Sequence, residues 1–204
     1  PIFQLGRSNA STSFAGVISG SGGLEKEGTG TFTLTGANSF TGRTLVSGGT
    51  LVLASGASLA GSVTNNAVFT NAGTVANGVI NNGTLVSTGS LNGSLVNNAG
   101  ATASLSGAFS GNLINRGTVN LTGTTIGIGE LSLATGAVFN LGGFATTIGN
   151  LTGGGGTDRI YTAPWVRGVE GGDGNDVIDA RAVTASGSQS PQGYDIEIDG
   201  GDGD

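Results

Sequence analysis

Gly171 to Asp179 reads GGDGNDVID, which sets Asp173, Asp176 and Asp179 among glycines in a chain that is otherwise poor in charge. Two chemistries fit such a stretch: a solvated polar turn, or an oxygen cage for a hard cation. Calcium takes six to eight oxygens at about 2.3–2.6 Å. Carboxylates supply some of them, and glycines let successive carbonyls aim at one centre because no Cβ intervenes. The pattern Gly-Gly-x-Gly-x-Asp-x-apolar is met here by Gly171, Gly172, Gly174, Asp176 and Ile178. It is met earlier by Gly153, Gly154, Gly156, Asp158 and Ile160, each at the same distance upstream of its counterpart. A third start, GGDGD, lies at Gly200, further from Gly171 than Gly171 is from Gly153. The polar stretch TASGSQSPQGY between them reads as a surface insertion that accounts for the added length. The chain has no His and no Cys, so the usual ligands of zinc and copper are missing. Magnesium suits the pattern poorly, since it demands a rigid octahedron and keeps its waters.

Carboxylates so far apart in sequence meet only if the backbone between them returns to the same place. The 204 residues include 42 Gly and 3 Pro, and 10% are charged. Val, Leu, Ile, Thr, Asn and Gly recur in short units, which suits short strands and tight turns and disfavours helices. Apolar pairs that lead into Asn or Gly turns begin at Leu45, Val63, Val79, Leu95, Leu113, Leu131 and Ile148. Their period wanders between about 16 and about 18 residues, too short for helical-pair repeats or propeller blades. It fits one coil of a parallel β-solenoid with two or three short strands, the coils pairing backbone to backbone. A two-sheet sandwich is the competing fold, but its strands recur every ~8–12 residues.

Within a coil, TFTLT predicts Phe32 and Leu34 inward and Thr31, Thr33 and Thr35 outward. Asn65, Asn66, Asn81, Asn82, Asn97, Asn98 and Asn115 fall in one register. They can stack as an amide ladder or serve only turn geometry. About eight coils are expected from Phe14 to Leu151, a length of roughly 40 Å at the usual strand spacing.

Charge divides unevenly. Residues 1–150 hold three acids and four bases, whereas residues 151–204 hold ten acids and three bases. That division argues against nucleic acid as a partner of the acidic end and for a cation as its counter-charge. No apolar run is long enough for a membrane helix, so no membrane insertion is expected. The GGDGD ending reads as a motif cut short, as in a piece of a longer chain.

Two resemblances sharpen these readings. VISGSGGLEKEGTGTFTLTGANSFTGRTLVSGGTLVL, Val17 to Leu53, resembles the autotransporter-associated β-strand repeat of bacterial passenger domains through GSGGL, GTGT, LTGANSFTG and GGTLVL in order. That resemblance implies a right-handed parallel β-helix and export to the cell surface or beyond. The acidic pattern resembles the RTX nonapeptide, a calcium-binding repeat of secreted bacterial proteins. It implies a β-roll in which two nonapeptides make one coil, so that the turns at Gly153 and Gly171 lie over one another with Ca2+ between them. By that family's pattern the metal residues are Gly153, Gly156, Asp158, Gly171, Asp173, Gly174, Asp176 and Asp202. Residues 161–170, with Pro164 and Trp165, depart from it. Glu197 in YDIEID is either the wet face of a strand or an accessory ligand.

The expected organisation is an all-β chain: residues 1–15 an N-terminal strand or cap, 16–152 a parallel β-helix, and 153–204 a calcium-binding β-roll with an insertion near 184–194. The expected function is structural and not enzymatic: a segment of an exported adhesin, matrix or fibre-forming protein that folds and stiffens on calcium. Self-association through the open ends and a surface glycan or protein target are the expected partners. A flat face for ice or glycans is the alternative, with TFTLT as its only clear Thr array. A polysaccharide-modifying β-helix enzyme is a further alternative. It is disfavoured because the chain lacks His and Glu130 is the sole acid between residues 28 and 157.

Overall fold

The structure is a computed structural model that describes residues 1–123, 126–140, 146–155, 159–161, 168–170, 177–179 and 197–199. Every strand pair in it is parallel, and the described residues contain no helix. The chain winds as a β-solenoid of about eight turns. Each central turn places one strand in a first sheet, one in a second and a two-residue strand on a third side. Val63–Asn65, Val68–Asn71 and Thr74–Val75 make one such turn, and Val79–Asn81, Thr84–Ser87 and Ser90–Leu91 make the next. The second sheet holds eight strands, one per turn.

The inward residues form rows because each strand pairs with its counterpart one turn away. Leu24, Thr44, Val63, Val79, Leu95 and Leu113 stack in the first sheet. Phe32, Leu51, Phe69, Leu85, Ala103 and Val119 stack in the second. These side chains, Thr44 included, are buried. Burying a Leu, Val or Phe stabilises by about 1.5–3 kcal/mol, and no single turn has enough such residues to stand alone. Phe32 and Leu34 face the core and the threonines beside them face out, as the alternation predicts.

The register corrects the sequence reading in three places. The inward residue that pairs with Val63 is Thr44, while Leu45 pairs with Thr64 on the outer surface. Leu131 continues to Leu151, and Ile148 pairs with Ile128. The early turns are longer than the middle ones: Leu5 pairs with Lys26 and Lys26 with Val46, whereas Asn65 pairs with Asn81 and Asn81 with Asn97. Polarity misleads at Thr44 because it is a core position filled by a hydroxyl, beside a leucine on the outer surface.

Corners are tight. A side chain at Gly89 or Gly107 would run into the backbone of the turn before it, at Gly73 and Gly89 respectively. Only glycine lets successive corners approach so closely.

Candidate functional site

The strands of the acidic end return to register as the spacing of the two glycine motifs requires. Arg159–Tyr161 pairs with Val177–Asp179, Ile160 opposite Ile178. The first sheet also continues, with Leu151 beside Val169 and then Val169 beside Ile198. This last pair has the same sequence offset as Gly171 and Gly200. Asp158 and Asp176 stand immediately before the paired strands Arg159–Tyr161 and Val177–Asp179 in sequence. They lie outside the described residues, as do Gly156, Gly171, Asp173, Gly174 and Asp202. Gly153 is described and is buried just after the strand Thr146–Thr152.

A further pair of acids at this end escapes the nonapeptide pattern. Thr152, Glu170 and Asp199 share one register position on consecutive rungs. The pairing was hidden because Glu170 and Asp199 belong to strands, not to the glycine turns. Among the described residues, no three His, Cys, Asp or Glu gather as a metal cluster.

The body of the solenoid carries its polar chemistry at one corner. The asparagines do not share one row; they divide into two. Asn65, Asn81, Asn97 and Asn115 are buried and linked amide to amide, at 2.7, 2.8 and 2.9 Å. Their nitrogens also reach carbonyls of the next turn, such as Thr84, Thr102 and Thr118. Asn66, Asn82 and Asn98 form a second ladder on the surface, with Asn82 donating to Asn66 and Asn98 to Asn82. The Asn65 and Asn115 oxygens also accept from the backbone amides of Ala67 and Gly117, so ladder and turn geometry are satisfied together.

Lys26 stands in the row of the inner ladder, two turns before Asn65. It is buried, and its ammonium donates to the carbonyls of Glu27, Gly28 and Gly48 at 2.6, 3.1 and 3.1 Å. No carboxylate pairs with it among the described residues. Desolvation lowers its pKa from the ordinary lysine value. Glu27 instead binds Arg7 at 2.7 Å on the surface and raises that guanidinium's pKa.

The two outer faces differ. The first sheet shows Glu25, Leu45, Thr64, Ile80, Val96 and Ile114 in a row. Among the described residues, the second shows Thr, Val, Ser and Asn, and no charged residue.

A family model described as the passenger-associated-transport-repeat matches residues 24–53. The matched stretch covers about one and a half turns of the described solenoid, since Leu24 pairs with Thr44 and Leu34 with Leu53; it lies inside Val17 to Leu53, which supports the autotransporter part of the resemblance. It covers a small part of the chain and does not reach the acidic end. No curated protein and no solved structure matches the chain.

Proposed function

We propose that the chain is a structural segment of an exported bacterial surface or extracellular protein, a passenger-type solenoid whose acidic end folds and stiffens on binding calcium. The observation that carries the structural half is the passenger-associated repeat at residues 24–53, set within an unbroken parallel stack. Such a stack is a spacer whose length grows with each turn, and its described outward residues are largely uncharged. What supports the calcium half is the repeated glycine–aspartate pattern together with the pairing of the strands that follow its two copies. Residues 151–204 hold ten acids against three bases, so without a counter-charge they repel one another.

Calcium at 100 times its dissociation constant adds about 2.7 kcal/mol to folding. Scarce calcium inside the cell would leave the segment loose during export, and plentiful calcium outside would set it. The test is a calcium titration of the chelator-treated chain, read by circular dichroism and melting. Gain of β-signal and a second, calcium-dependent melting step are expected, and Asp176→Ala and Asp158→Ala should remove that step while the solenoid's own melt stays. An identical melt in chelator and in millimolar calcium refutes the calcium half.

A further inference from the structure

We propose that the outer face of the second sheet binds ice. Thr31, Thr50, Thr84, Thr102 and Thr118 occupy one outward row, interrupted by Val68 and closed by Val138. Thr33, Val52, Thr70, Val86, Ser104 and Asn120 run beside it. The corner beyond adds Thr35, Thr88 and Thr122, whose amides each bond the turn before. All of these residues are exposed or half-buried. Each row repeats every strand spacing, about 4.8 Å, and neighbouring rows stand two residues apart, about 6.7 Å. Both repeats lie close to those between water oxygens on the faces of hexagonal ice.

Three properties favour a crystal of water as occupant over a protein or a glycan. The first is repetition: every position from Thr31 to Val138 in the first row is β-branched, and a folded partner has no need of one shape on every rung. The second is stiffness. Thr and Val are restricted at χ1, so docking a rigid lattice on them costs little side-chain entropy. The third is charge. Arg7, Glu25, Glu27, Arg43, Arg116 and Glu130 all lie on the first sheet or at the corners beside it. The Thr face therefore loses no charge solvation when its water freezes in place, and methyl and hydroxyl groups together can anchor an ordered layer. Val at a Thr position keeps the shape and gives up one hydroxyl.

This reading stands apart from calcium, since the face belongs to residues 31–140. The experiment grows ice slowly from a dilute solution of the full chain, with thermal hysteresis as a second readout. The chain should be enriched in the ice. Thr84→Lys and Thr102→Lys should abolish enrichment, and Thr64→Lys, on the first sheet, should retain it. Circular dichroism checks each fold, and Thr102→Val serves as a milder variant expected to weaken enrichment. Exclusion of the folded parent chain from ice overturns the proposal, as does equal loss in Thr64→Lys. Dimerisation that Thr84→Lys disrupts, without enrichment in ice, assigns the face to a second copy and also overturns it.

Discussion

Single residues carry two of the solenoid's departures from an apolar interior. Thr44 is buried between Leu24 and Val63, and its hydroxyl has no hydrogen-bond partner among the described residues. A buried unsatisfied polar group costs about 1–3 kcal/mol, so Thr44→Val should stabilise the body by about 1 kcal/mol, read as a higher urea midpoint at unchanged slope. Lys26 is the second. It is the sole lysine of the chain, so its side-chain resonances can be followed by NMR without ambiguity. Its folded pKa is lowered by desolvation below the ordinary value of about 10.4. Between the two values the unfolded chain binds the extra proton, so stability rises with pH across that window. At lower pH the penalty of the buried charge is present in full. Lys26→Met should abolish the rise, yet at neutral pH it should destabilise by about 2 kcal/mol, because the carbonyls of Glu27, Gly28 and Gly48 lose their donor. A measured pKa at or above the ordinary value refutes the account. Neither residue was legible in the sequence: nothing near Lys26 marks it as internal, and Leu45 looks the better core residue than Thr44.

At the scale of strands and corners the sequence was far more legible. Period-two alternation placed Phe32 and Leu34 inward, and the recurring Asn and Gly marked the corners. The spacing of the two nonapeptide matches anticipated the strand pair Arg159–Tyr161 with Val177–Asp179. What stayed hidden was which asparagine of each pair points in, because adjacent residues of one type carry no periodic contrast. The second sheet's Thr row was hidden for a related reason, since Val68 and the Asn, Ala and Ser neighbours break its pattern when each turn is read alone. The buried and surface ladders now predict unlike costs for like substitutions. Asn81→Ala removes the acceptor of Asn65 and the donor to Asn97, Gly83 and Thr102, all at a buried corner. It should cost about 3 kcal/mol, the upper range for stranded buried groups. Asn82→Ala breaks only exposed bonds to Asn66 and Asn98 and should change stability by no more than about 0.5 kcal/mol. Equal costs in denaturant titration would show that the inner ladder is not the stronger device.

For the molecule as a whole, the stack is nearly one-dimensional: each turn touches the turn before and the turn after, and stability is close to a sum over turns and their interfaces. Such an object should tolerate loss of one complete turn and fail on loss of part of one. Asn65 pairs with Asn81, and Asn81 with Asn97. Deleting residues 66–81 therefore joins Asn65 to Asn82 without shifting any register. Thr84–Ser87 then stacks on Thr50–Leu53, Leu91 on Leu59, and Leu95–Asn97 on Val63–Asn65, with the inner amide ladder resumed from Asn65 to Asn97. Core character is kept along most rows. The exceptions are Phe69, which is removed, and Ser87, which loses the donor Asn71. The shortened chain should melt cooperatively with an unchanged β-signal per residue and a lower midpoint. Deleting residues 66–73 instead sends second-sheet residues to the third side and puts the inward rows out of phase, so a register slip's penalty is spread over every later turn. That variant should lose the cooperative melt. If the full-turn deletion unfolds as completely as the half-turn deletion, the turns are not interchangeable units and the solenoid's stability resides in particular turns, not in stacking.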